Sequence, residues 1–453
     1  MKFSRPRSNP ARFSLVLMAS ALFILAASRS ARAGMVCVNP KDSSCAATIS
    51  LGVLQASSGD TVKVAPGTYK EEVVITKALN LVGAGDHGKA VTIDATGLVH
   101  AIYISGVTGP LVVQQITAAN AKREGILIEN SSNITVKQST VMNNDKSLGT
   151  DTKVCPPDSI PCCPGAFPFE QEDCGEGLHL MGATNSLVSN NIVQGNEGGI
   201  LLSDETGATS YNLITSNLVK NNALDCGITL PSHPPCVQTS TDATGCIGGP
   251  AIGTPSPGVF NNSVIGNTSI NNGGAGTGIF APTPGTAAYG NLVANNILQN
   301  NGEPGVALHS HAPGQNLNNN TIMGNFISGN GPEPGSPLKI GISLFSDNSA
   351  GAAPINEVPI YGNTIRGQDI DIFVGTAANN ISVYFNNLGG TGLGILNTGA
   401  GTVNAPTNYW NCPGGPTSAS ASCSHLSGTV NFVPALSKPF NLNQLNKKLS
   451  PVN

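Results

Sequence analysis

Charge is scarce in this chain. Asp, Glu, Lys and Arg make up 11% of its 453 residues, and the formal net charge is −4. There is no basic stripe, which speaks against nucleic acid as a partner. Aromatic residues are few, at 5%, with Trp410 the single tryptophan. Beyond residue 33 no apolar run approaches bilayer-spanning length, so a membrane-embedded helix is not expected. Glycine is plentiful instead, at 54 residues, and Asn recurs at regular intervals. That composition suits a chain that turns tightly and often.

The first residues are expected to be removed. Lys2, Arg5, Arg7 and Arg12 precede an apolar run from Leu15 to Ala27, and Ala31-Arg32-Ala33 supplies a small-x-small cleavage site. Residues 1–33 therefore read as a signal peptide, and the mature chain as secreted or periplasmic. Eleven cysteines in an exported chain predict disulfides. Cys37/Cys45 and Cys412/Cys423 read as local pairs. Cys155, Cys162, Cys163 and Cys174 have the makings of two bridges within one segment, and Cys226, Cys236 and Cys246 leave one thiol over. The last three with His233 lack zinc-like spacing, so no metal set is assigned. No cofactor is required by this reading, and nothing in the sequence argues for calcium.

Asn191, Asn217, Asn267, Asn296, Asn325, Asn363 and Asn386, with Ser139 as an earlier variant, each follow a hydrophobic residue by three places. Each repeat also carries a Gly-Ile-like strand start: Gly125-Ile126, Gly177-Leu178, Gly199-Ile200, Gly227-Ile228, Gly278-Ile279, Gly305-Val306 and Gly341-Ile342. Recurrence within ~20–50 residues marks stacked units that cannot bury a face alone. One coil, from Asn185 to Leu202, holds three short apolar runs separated by Asn and Gly corners. The runs have strand length and lack helical spacing. The expected fold is all-β, a single-stranded parallel β-helix. Its corner Asn residues are expected to adopt left-handed angles and to hydrogen-bond from coil to coil.

The expected layout is a cap over 34–58, a β-helix over 59–405 and a disulfide-tied tail over 406–453. The cap includes a short helix at Thr48–Ala56. Two repeat intervals, Ser139 to Asn191 and Asn217 to Asn267, are about twice the others, which places inserted loops near 145–176 and 231–260. Both inserts flank one face, where long loops commonly wall a groove.

Several segments carry a family resemblance. Gly59-Asp60-Thr61-Val62, Pro66-Gly67-Thr68-Tyr69 and Leu81-Val82-Gly83-Ala84-Gly85 resemble the opening coils of the pectin-lyase-like superfamily. The Asn/Gly-Ile coils, with Asn408-Tyr409-Trp410 and Gly414-Gly415-Pro416, resemble its exported NosD-type right-handed β-helix repeat proteins. The resemblance covers essentially the whole mature chain and implies a right-handed β-helix. Relatives include lyases, hydrolases, esterases, epimerases and non-enzymes, so it leaves the reaction open. The marks of polygalacturonase-like hydrolases (Gly-His-Gly, Arg-Ile-Lys) and of alginate epimerases (Asp-Pro-His) are absent. Of the methylesterase marks, only Asp371-Ile372-Phe373-Val374-Gly375 is echoed.

Strand alternation supplies the site candidates. It predicts an outward ladder of Leu127/Glu129, His179/Met181, Leu201/Ser203, Thr229/Pro231, Phe280/Pro282, Ala307/His309 and Ser343/Phe345. One polar cluster on it comprises Lys122, Arg123, Glu124, Glu129, Glu176, His179, Asp204 and Glu205. From this cluster Arg123, Glu129, His179 and Asp204 are the catalytic candidates. Carboxylates on neighbouring coils suit acid–base work on a glycosidic bond, His179 is the imidazole that could take or give a proton, and Arg123 or Lys122 would neutralise a uronate. A second cluster, about four coils away, holds Glu303, His309, His311, Asp347, Asp369 and Asp371, with the two imidazoles and Asp347 as a weak metal pattern. Lys122, Phe280, His309 and Phe345 are the binding candidates. The leading functional expectation is an exported glycan-binding or scaffold protein with polysaccharide as ligand. The alternative is a polysaccharide lyase, hydrolase or epimerase acting on an acidic glycan. No feature of the sequence sets an oligomeric state.

Overall fold

The computed structural model describes residues 33–85, 90–144, 176–239, 246–250, 254–377, 379–390 and 392–441. The expected leader lies outside these residues apart from Ala33. So do most of the first insert and its cysteines Cys155, Cys162, Cys163 and Cys174. No described helix is long and apolar enough to cross a membrane.

Three long sheets of 14, 12 and 11 strands account for nearly all regular structure. Each coil contributes one strand to each sheet. Leu187–Ser189 joins the first, Ile192–Gln194 the third and Ile200–Ser203 the second, and each pairs in parallel with its equivalent one coil away. Inward positions fill the coil interior: Ile126/Ile128, Leu178/Leu180 and Ile200/Leu202 stack in register and are fully buried. A single column of such residues runs from Val38 to Trp410.

The corners work differently from the expectation. Left-handed angles fall on the residue before each ladder Asn, at Asn190, Ser216, Asn295 and Phe385 and at Gly266, Gly324 and Gly362. The ladder Asn itself turns inward and is buried. Its Oδ1 accepts from the backbone N–H and the Nδ2 of the preceding rung, as Asn217 does from Asn191 at 3.0 and 3.0 Å. Its Nδ2 donates back to a strand carbonyl, here Val188 at 2.9 Å. Two further ladders, Asn144–Asn196–Asn222–Asn272–Asn301–Asn330 and Asn212–Asn262–Asn291–Asn320, follow the same scheme at other corners. A buried backbone group that a turn would orphan is thereby satisfied in the coils these ladders span.

The glycine of each Gly-Ile pair answers a close approach. A Cβ on Gly199 would lie 2.0 Å from the Gly227 carbonyl oxygen. Asp371 occupies this same column, between the register pairs Ile340–Ile370 and Ile342–Ile372. It is fully buried and accepts one hydrogen bond, from Gly390 N–H at 3.1 Å. It therefore belongs to the corner interior and not to the polar cluster predicted around His309. Burial pushes its pKa well above the usual carboxylate range. A raised folded pKa gives stability that is complete below the unfolded value of 3.8 and is lost as pH rises toward the folded value. Asp371→Asn keeps the acceptor and removes the titration. Thermal unfolding at pH 8 should show it more stable than the parent, by about 1–3 kcal/mol, the range for a buried polar group lacking a partner. The gain should vanish near pH 3.

Both ends add rungs as well as covering them. The helix Ile49–Gln55 is N-capped by Thr48 and also receives the Glu71 carboxylate on Ile49 and Ser50 N–H at 2.7 and 2.8 Å. Met35–Val38 lies within the expected cap, yet it pairs with Thr61–Val64 as the first strand of the first sheet. In the tail, His425–Ser427 and Val430–Asn431 extend two sheets. Unpaired strand edges invite pairing, and these segments occupy them. Disulfides Cys37–Cys45 and Cys412–Cys423 fasten the two ends as expected.

Candidate functional site

The polar residues gather on the outward face of the second sheet, as the alternation predicts, but one coil is shifted. Thr277 pairs with Ile228 and Val306, so the strand begins at Gly276-Thr277 and not at Gly278-Ile279. Phe280 consequently stands in register with Pro231 and His309, and Phe345 follows on the next strand.

The first cluster is a line of hydrogen bonds and close ion-pair contacts, most of it buried. His100 Nδ1 meets Glu72 at 3.0 Å and His100 Nε2 meets Glu124 at 3.1 Å. Glu124 also meets His179 Nδ1 at 3.3 Å, and His179 Nε2 meets Ser203 Oγ at 2.7 Å. Ser203 in turn donates toward Glu205, which pairs with His233 Nδ1 at 2.8 Å. Beside this line Tyr103 hydrogen-bonds Glu129.

These contacts set the charges. Burial would lower the His100 pKa, but Glu124 and Glu72 outweigh it and carry it up to about 9. Burial would likewise raise Glu124, yet His100 and His179 hold it well below the usual range. Glu205 is drawn down to about 2 by His233 against its burial. Glu129 is raised, chiefly by burial.

The four catalytic candidates part company here. Glu129 and His179 share the face. Asp204 is fully buried and accepts from His233 N–H at 2.7 Å, Gly258 N–H at 2.6 Å and Ser232 Oγ at 2.9 Å. Burial and neighbouring Glu205 raise its pKa to about 7. It anchors the second insert to the coil. Arg123 is a half-buried corner residue and Lys122 is exposed. Ligand atoms of Glu124, Glu176 and His179 lie within 4.8 Å of one another, a spacing that would admit a metal. Both His179 nitrogens are engaged, however, so a metal there would have to break the bond to Glu124 or to Ser203.

Three of the four binding candidates converge. The His309 ring lies 5.1 Å from Phe280 and 5.8 Å from Phe345, and His311 stands edge-on to it at 5.5 Å. Lys122 sits coils away, ahead of the strand Ile126–Glu129. His309 Nε2 pairs with Glu333 at 2.9 Å, a partner in a Pro-Gly turn that no periodicity announces. Burial would lower His309, but Glu333 raises it. Burial and the neighbouring His309 bring His311 down to about 4. Asp347, expected as a third ligand, instead caps the short helix Asn348–Ala350 through Ser349 and Ala350 N–H. Asp369 accepts from Lys339 N–H at 2.9 Å. Beside the two histidines opens a cavity of about 370 Å³, walled by Leu338, Ile340, Phe345, Ile370, Phe373 and Leu396, with Glu333 at its polar side.

Residues 89–247 match the family described as a right handed beta helix region. The stacked parallel sheets agree with that match, and the chain folds as a parallel β-helix. Among solved structures, this β-helix is similar to the catalytic domain of a GH87 alpha-1,3-glucanase in complex with nigerose. The TM-score is 0.53 at 12% identity, over 88% of this chain and 67% of that one. The Azotobacter vinelandii mannuronan C-5 epimerase AlgE6 A-module gives 0.46 at 14% identity, over 87% and 95% of the two chains. A Yersinia enterocolitica family 28 exopolygalacturonase gives 0.47 at 12%, over 90% and 80%. At such identities the likeness is one of fold. No curated protein matches the β-helix significantly in sequence.

Proposed function

We propose that this β-helix is an exported glycan-binding protein and that a sugar ring seats in the cavity beside His309 and His311. The cavity itself carries the reading. It has aromatic walls at Phe345 and Phe373 and a few convergent polar groups, the usual composition of a small-ligand site. Rings such as these offer apolar faces to the C–H side of a sugar, while His311 and the His309–Glu333 pair offer hydrogen bonds. A protonated His309 against an ionised Glu333 leaves no net positive charge to hold a uronate. The ligand we favour is therefore a neutral glycan, and not the acidic glycan of the enzymatic alternative. The basic and apolar leader supports export.

Titration calorimetry with neutral and uronate oligosaccharides tests this. Phe345→Ala is expected to weaken binding of a neutral ligand about tenfold, or ~1.4 kcal/mol, with little change in folding temperature. Binding unaffected by Phe345→Ala would remove the cavity as the site.

A further inference from the structure

The first cluster contains a set of facing acceptors that sugar binding does not use. The Ser203 hydroxyl donates its one proton to Glu205, which His233 keeps ionised against its burial. Ser203 Oγ therefore accepts from His179 Nε2, 2.7 Å away, and that bond places a ring proton on Nε2. The lone pair of a neutral His179 is then on Nδ1. Nδ1 faces Glu124 Oε1 at 3.3 Å, while the other Glu124 oxygen is taken by His100 Nε2 at 3.1 Å. An acceptor thus confronts an acceptor inside the corner.

A third group joins them. Glu176 stands one rung on from Glu124 at the same corner, where Gly125 N–H donates to its carbonyl, and it is fully buried. One ligand atom from each of Glu124, Glu176 and His179 lies within 4.8 Å of the other two. Two carboxylates gathered out of water favour a cation between them. The His179–Glu124 separation fits a shared cation better than a direct bond. It exceeds the 2.8–3.1 Å of the other imidazole–carboxylate contacts among the described residues. Two ligands on a tetrahedral zinc, each bound at ~2.0–2.2 Å, stand roughly 3.3–3.5 Å apart.

We propose that Glu124, Glu176 and His179 form a zinc site, with Nδ1 as the imidazole ligand. An ion there replaces the His179–Glu124 contact and leaves the bond to Ser203 intact. Ser203 and Glu205 become the outer partners that fix the ring and its tautomer, as a ligating histidine requires. All three ligands are buried, so the site is structural and takes up its ion as the corner folds. It ties the rung of Ile126–Glu129 to that of Leu178–Met181. In sequence these rungs lie on either side of the first insert. The ion thus fastens the chain where that excursion returns to the coil, and the inference does not depend on sugar binding.

The full chain, freed of its leader and stripped of metal with a chelator, is titrated with Zn²⁺ by calorimetry and with Co²⁺ by visible absorption. The expected result is one ion per chain at micromolar affinity or tighter, with the d–d bands of a tetrahedral Co²⁺ and a raised unfolding temperature. Glu176→Gln and His179→Gln should each abolish uptake at micromolar zinc. Ser203→Ala, which removes the outer partner, should weaken it about 10–100-fold. His425→Ala, in the tail, should leave it unchanged. The cobalt spectrum of the unaltered protein needs no variant to fold. Absence of uptake, a cobalt–thiolate charge-transfer band placing the ion on cysteine, or uptake undiminished in Glu176→Gln and His179→Gln overturns the proposal.

Discussion

Replacing His100 by Ala should destabilise the protein by about 3–5 kcal/mol at pH 6, the usual loss when one partner of a buried ion pair is removed. His100 is 1% exposed and stands between Glu72 and Glu124, so its loss leaves Glu124 buried with His179 as its remaining imidazole partner. The pH dependence carries a signature. Because the His100 pKa rises from 6.5 to about 9 on folding, its contribution is complete below pH 6.5 and is lost as pH climbs through 9. Glu124 is lowered, so its contribution is present above 4.5 and lost as pH falls. The parent should therefore be most stable between these limits. In His100→Ala the alkaline decline between pH 6.5 and 9 should flatten. Denaturant titrations across that range would show it, and an unchanged alkaline slope would place the titration elsewhere.

Asn267→Leu should be comparably damaging although leucine keeps the γ-branched shape. Asn267 Oδ1 accepts from Asn217 N–H at 3.0 Å and Nδ2 at 2.9 Å, and its own Nδ2 donates to Ile214 O at 2.9 Å. Leucine leaves the Asn217 N–H buried without an acceptor and strips Ile214 O of a donor. At about 1–3 kcal/mol for each orphaned group, the loss is about 2–6 kcal/mol. Stability in stacked repeats is nearly a sum of neighbour interfaces, so the break should also divide the rod into two less coupled halves. The expected observation is a broadened or two-step unfolding curve, with fast hydrogen exchange at the Asn217 amide. Sharp unfolding at the parent midpoint would show that the rungs act independently.

Much of this architecture was legible in the sequence because a coil must satisfy its corners with a small repertoire. The spacing from Asn191 to Asn386 announced one amide ladder and, with it, the rungs. It did not say which residue takes the left-handed angle. Asn occurs on both sides of that step, as at Asn190 and Asn191, for opposite reasons: one tolerates the angle and the other hydrogen-bonds inward. The shift at Gly276-Thr277 was hidden because Gly278-Ile279, two residues on, imitates the same pair. Alternation put Glu129, His179 and Ser203 on one face, since that follows from a period of two. His100 escaped notice although it precedes Ile102 by the same two places as Glu124 precedes Ile126. Glu333 and Asp204 were beyond reach of any pattern. The first meets His309 from an irregular turn, and the second is consumed by backbone donors from the second insert.

The amide ladder has a direction. From Asn191 to Asn386 every Nδ2 donates onward to the Oδ1 of the following rung, and none is reversed. Head-to-tail dipoles reinforce one another, so the row behaves as a continuous polar filament threaded through an apolar sleeve. Its fractional charge accumulates only at the two extremities, where Ser139 and Asn408 end the series.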